Sequence, residues 1–105
     1  MSIRTHEAGF SMTFVNGLTI SVAHGEGNYC DNRDGSLSSS WNIESQTAEI
    51  AIWDEDDNWL NFGLDIVKGW VSADKIAIWI NRVRAAESLD QLKRYLNKYI
   101  NNEDE

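Results

Sequence analysis

The sequence predicts an α+β domain: a roughly four-stranded antiparallel sheet of two β-hairpins, with two C-terminal helices packed on one face. Three observations carry that expectation. Strictly alternating apolar and polar residues recur in short runs before residue 63, and Gly-, Asn- or Asp-rich turn signals separate the runs. From residue 72 onward the apolar spacing changes from two to the three and four of a helix. The 105 residues make one domain, 1–105. Scaling of surface with size gives it burial of about 65% of the unfolded surface, enough for a core without metal or disulfide.

The first hairpin comes from Phe10-Ser11-Met12-Thr13-Phe14 and Leu18-Thr19-Ile20-Ser21-Val22, with Asn16-Gly17 between them. A two-residue Asn-Gly turn pairs 15 with 18 and sends the two apolar rows to opposite faces. A Val15-Asn16-Gly17 loop instead pairs 14 with 18 and 12 with 20, with Gly17 in the left-handed position, and this is the expected register. The second hairpin is read from Ile50-Ala51-Ile52-Trp53, an acidic tip, and Trp59-Leu60-Asn61-Phe62. Ile50, Ile52, Leu60 and Phe62 share a face only if 52 pairs with 60. That leaves Glu55-Asp56-Asp57 as a three-residue loop, with Asp tolerated in its left-handed position. Trp53 then stands opposite Trp59 on the face away from the isoleucines.

Between the hairpins, residues 24–45 are rich in Gly, Asn, Asp and Ser, a connection too long to be idle in a compact domain. Residues 25–33 suit tight backbone geometry, whereas 34–45 read as a flexible loop re-anchored by Trp41 and Ile43. Residues 63–71 are expected to be a connection with a short strand at about 66–70. Ser72 can cap a first helix with Asp74 near its positive end, carrying Ile76, Trp79, Ile80 and Val83 inward and ending near Glu87. Ser88-Leu89-Asp90-Gln91 is a capping box opening a second helix, whose stripe is Leu89, Leu92, Leu96, Tyr99 and Ile100. Residues 1–8 and 101–105 are expected to fray.

Seventeen acids against nine Lys and Arg give a net charge of -8, which works against binding a phosphate backbone and favours encounter with basic surfaces. A 42% hydrophobic content with five Trp, three Tyr and three Phe excludes a disordered chain. The lone Cys30 excludes an intramolecular disulfide and suits a reducing compartment. No leading apolar run resembles a signal peptide and no stretch is long enough to span a bilayer, so a soluble protein of the cytoplasm is expected.

Gly9-Phe10-Ser11-Met12-Thr13-Phe14 with Asn16-Gly17, Gly25-Glu26-Gly27-Asn28-Tyr29-Cys30-Asp31-Asn32, Ala48-Glu49-Ile50-Ala51-Ile52-Trp53 and Gly69-Trp70-Val71-Ser72-Ala73-Asp74 together resemble a family of small tailed-phage proteins without an assigned activity. The likeness covers roughly residues 9–80, and its most specific piece is Gly27 to Asn32. It implies expression inside an infected bacterium, hence the host cytoplasm, and implies no catalytic residue.

Four constellations bear on chemistry. Asp54-x-Asp56-x-Asn58 with Asp65 in twelfth place has calcium-loop spacing, but Trp59 stands where that loop needs Gly. Cys30 with His24 and Asp31 could form a thiol–base pair, though without metal-ligand spacing around it; a structural Cys is the plainer reading. Asn28, Tyr29, Asp31, Asn32 and Arg33 could line a small-ligand pocket, or spend their side chains on their own loop. Arg82, Arg84, Lys93, Arg94 and Lys98 are expected on solvated helix faces, pairing with Glu87 or Asp90.

The expected function is therefore non-catalytic: an acidic protein that engages a basic surface of a host or defence protein through Trp53, Asp54, Glu55, Asp56, Asp57 and Trp59. The alternatives are sequestration of a small nucleotide by the 25–33 loop and a thiol-dependent enzyme at Cys30. No metal, cofactor, nucleic acid or membrane enters the expected reading, and a homodimer through an exposed indole pair or sheet edge is compatible with it.

Overall fold

A computed structural model of the protein describes residues 1–25, 27–31, 44–63 and 65–98. It is an α+β domain. Five strands, β1 (Ser2–His6), β2 (Gly9–Thr13), β3 (Thr19–Ala23), β4 (Thr47–Trp53) and β5 (Val67–Ser72), are followed by α1 (Ala73–Ala85) and α2 (Leu89–Lys98). The strands form one antiparallel sheet in chain order, β1-β2-β3-β4-β5. Residues 32–43, which include Asn32, Arg33, Trp41 and Ile43, lie outside the described residues, as do Tyr99, Ile100 and the 101–105 tail.

The first hairpin has the three-residue loop. Met12 faces Ile20, the Phe14 amide bonds the Leu18 carbonyl at 2.9 Å, and Gly17 takes φ +87°. Even-numbered residues of β2, β3 and β4 consequently share one face. Ile20, Ile50 and Ile52 there are fully buried, beside Leu18, Val22 and Leu60. The helices cover this layer. Trp79 and Val83 of α1 and Leu89, Leu92 and Leu96 of α2 are buried, with Ile76 and Ile80 packed against them. Trp79 meets Phe62 edge-on at 5.5 Å, and its Nε1 has no hydrogen-bond partner among the described residues. That omission costs roughly 1–3 kcal/mol, of the same order as the gain from burying so large a side chain.

Two expectations are corrected. Residues 1–8 do not fray as a whole: Ser2–His6 pair along β2 as a fifth, edge strand. Its side chains are all exposed, so no apolar pattern announces it, and backbone pairing supplies the order. The second hairpin is also shorter than expected. Trp53 and Trp59 form a single antiparallel bridge, the Leu60 amide bonds the Ile52 carbonyl at 2.8 Å, and the chain then turns away. The strand that pairs along this edge of β4 is β5, which returns along it from residue 67.

The helix ends follow the caps. The Ser72 hydroxyl accepts from the Lys75 amide at 3.4 Å, and Asp74 lies in the first turn. α1 ends at Ala85, slightly before the expected Glu87, because a side chain from elsewhere terminates it. Asn16, in the first hairpin loop, donates from Nδ2 to the carbonyls of Val83 and Ala86, both at 2.8 Å. Its Oδ1 accepts from the Leu18 amide at 3.0 Å, so one amide closes a β-turn and a helix C-terminus together. Ser88 accepts from the Gln91 amide at 3.3 Å, the forward half of the capping box the sequence spells, while Gln91 Oε1 reaches one residue past the cap and accepts from the Glu87 amide at 2.9 Å.

Candidate functional site

The face of the sheet opposite the helices carries the candidate residues. Thr47, Glu49, Ala51 and Trp53 alternate with the buried Ala48, Ile50 and Ile52, so they point to this outer side. Trp59, opposite Trp53, joins it. The two indoles lie 4.5 Å apart between centroids with their planes tilted by 30°. Trp53 is half-buried and Trp59 is 38% exposed, so the pair is outward-facing and not part of the core.

The acidic tip beside them is a tight turn. The Asp54 amide bonds the Asn58 carbonyl at 2.9 Å, and Asp57 takes the left-handed position at φ 62°. Asp54 holds the turn from inside: Oδ1 accepts from the amides of Asn58 and Asp56, both at 2.9 Å, and Oδ2 from Asn58 Nδ2 at 3.1 Å. The backbone and side-chain bonds from Asn58 hold its carboxyl below the usual carboxylate range, with smaller help from the Asp56 amide and the Lys93 charge. Asp54 is thus spent on its own loop, while Glu55, Asp56 and Asp57 are exposed. Residues of the calcium-like spacing are the ones that close the turn. Among the described residues no group of three or more His, Cys, Asp or Glu could hold a metal ion.

A second aromatic pair stands further along the same face. β5 carries two residues, Gly69 and Trp70, where β4 has only Glu49, a bulge between the 48–71 and 50–68 pairs. Trp70 sits there at φ 50° and is 56% exposed. A bulky side chain in the left-handed region costs of order 1–3 kcal/mol and persists only where its surroundings impose it. The surroundings are the 27–31 segment. Glu49 accepts from the Tyr29 amide at 3.1 Å and from Asn28 Nδ2 at 3.2 Å, and the Tyr29 carbonyl accepts from the Trp70 amide at 2.8 Å. The Tyr29 and Trp70 rings stack at 5.6 Å. Tyr29 lies so close to Gly69 that a Cβ there would stand 2.6 Å from the tyrosine Cβ, which explains the glycine.

The expected ligand loop is therefore taken up by its own geometry in its described part. Asn28 Oδ1 accepts from the Gly25 amide at 3.0 Å, and Asp31 accepts from Thr47 Oγ1 at 2.9 Å while its own amide donates to that hydroxyl at 3.0 Å. Asn32 and Arg33 lie outside the described residues. Cys30 is buried, its Sγ 3.8 Å from the Gly25 carbonyl, as a packing residue would be. Sequence reasoning missed Trp70 and Asn16. Alternation gave no sign that Trp70 leaves the strand conformation, although Gly69 before it is a bulge signal. Asn16 could be read only as a turn former, because its helix partner is remote in sequence.

Comparison of the chain with protein-family models, with curated proteins and with solved structures finds no match. No helix among the described residues is long and apolar enough to cross a membrane.

Proposed function

We propose that the protein is a non-catalytic binding domain whose outer sheet face, centred on Trp53 and Trp59, engages a basic surface of another protein. The carrying observation is the outward indole pair flanked by the exposed Glu55, Asp56 and Asp57. Large amphipathic rings ringed by charge have the composition of binding hot spots, and a net charge of -8 speeds encounter with positive partners. Asp54 contributes by fixing the turn that holds Trp59 opposite Trp53, not by touching the partner. The resemblance of residues 9–80 to small tailed-phage proteins supports an infected bacterium as the setting and a host or defence protein as the partner.

The test is affinity capture from lysate of an infected host, comparing the wild type with the double variant Trp59→Ala, Asp56→Lys. Both sites are exposed, so the melting temperature should stay within a few degrees. A protein retained by the wild type and lost by the variant is the expected result. Retention by both would remove this face from the interaction.

A further inference from the structure

Resting on that reading, we infer that the outer face takes an extended, proline-containing basic segment of its partner, laid along β4 across two aromatic ridges. The first ridge is Trp53 with Trp59 and the second is Tyr29 with Trp70, both on the side of the sheet away from the helices. Glu49, which holds Tyr29, and Trp53 are four strand positions apart, about 13 Å along β4. A polyproline segment covers that span in about four residues.

Geometry narrows the way a chain can lie here. Strand addition at the bulge is blocked on the β5 side, because the Trp70 amide is already bonded to the Tyr29 carbonyl. A polyproline helix needs no ladder: its backbone stays solvated and it docks by ring-on-ring contact, with little conformational entropy left to lose. Trp70 is what such a segment requires. The bulge turns its indole 56% into solvent in a backbone conformation unfavourable to tryptophan, while Tyr29 and the Glu49 network hold it in place. One face of the ring is spent on Tyr29, and the exposure that remains suits a surface that must present a ring. Charge sets the remaining chemistry. Glu55, Asp56 and Asp57 are exposed beside the first ridge and Asp31 is exposed on the segment flanking the second, so Arg or Lys between the prolines meets a carboxylate at either end.

The experiment is a titration of the full chain, followed by tryptophan fluorescence and calorimetry, with a peptide of Pro-Pro-Arg repeats. A Gly-Gly-Arg peptide of equal length and charge and an alanine-rich helical peptide of equal charge are the comparisons. Preorganisation should make the Pro-Pro-Arg peptide bind about tenfold tighter than either. Trp70→Gly and Trp59→Ala should each weaken it about fivefold. Trp70→Gly should do so with a melting temperature unchanged or raised, since glycine accepts the positive φ. The inference falls if the Pro-Pro-Arg and Gly-Gly-Arg peptides bind alike, if the helical peptide binds best, if Trp70→Gly leaves affinity unchanged, or if no saturable binding occurs. Should the peptide fail while Trp59→Ala, Asp56→Lys still abolishes capture from lysate, the binding face stands and only its ligand class is overturned. If capture survives that double variant, both fall.

Discussion

At the scale of single residues, Asn16 and Asp54 do for the two loops what hydrophobic burial cannot. Asn16 satisfies the carbonyls of Val83 and Ala86 and the amide of Leu18, joining a loop to a helix end nearly seventy positions away. Asn16→Ala removes those three bonds, leaving the Val83 carbonyl only the longer 3.4 Å bond from the Ala86 amide, so a loss of about 2–3 kcal/mol is expected, at roughly 1 kcal/mol per bond. Urea unfolding measures it, and a loss below half a unit would mean water replaces the amide. Asp54 makes a different kind of prediction. Its carboxyl titrates below the ordinary range in the folded protein, so the stability it supplies is fully present above the unfolded carboxylate value of about 3.9 and is lost as pH falls through the lower folded value. The stability gap between the wild type and Asp54→Asn should therefore be constant near neutral pH and close on acidification. A gap that stays constant down to the acid transition would show that the turn does not depend on that charge.

At the scale of elements, the two helices meet the sheet through one layer and each other through Arg82. Its guanidinium lies 5.0 Å from the Trp79 ring centroid and 4.5 Å from that of Tyr95, clamped between α1 and α2. The sequence reading put this arginine on a solvated face, because charge pattern alone does not tell a solvated cation from one lying between rings. Arg82→Lys keeps the charge and loses the flat stacking surface, so it should cost about 1 kcal/mol, close to Arg82→Ala, by thermal unfolding. If lysine restores full stability, charge and not planarity holds the clamp. The same contrast explains what was legible elsewhere. Hairpin registers, caps and the apolar stripes of both helices depend on neighbours in sequence, and parity or spacing exposes them. The outward Trp53–Trp59 pair belongs to that set. β1, β5 as the partner of β4, the left-handed Trp70 and the reach of Asn16 depend on residues remote in sequence or on backbone pairing without an apolar pattern. Local pattern carries no record of those.

At the scale of the whole molecule, the two edges of the sheet are treated differently. The β5 edge is interrupted by the bulge and partly covered where the Tyr29 carbonyl takes the Trp70 amide. The β1 edge is a fully exposed strand, with Ile3 72% exposed and paired to Met12 on the helix side of the sheet. Edges of that kind invite another strand, and proteins guard them with charge. Here the guards are the charged Arg4, across from Ser11, and the polar His6, whose Nε2 is 3.4 Å from the Ser21 hydroxyl. Both stand on the face opposite Ile3. Replacing them together, Arg4→Val with His6→Val, makes β1 apolar on both faces while leaving its pairing with β2 intact. The double variant should unfold at nearly the wild-type temperature yet sediment as larger, concentration-dependent species. The net charge becomes more negative and opposes association at long range, so growth in size would identify short-range strand pairing as the cause. Sedimentation identical to the wild type would mean that the edge is protected by something other than these two side chains.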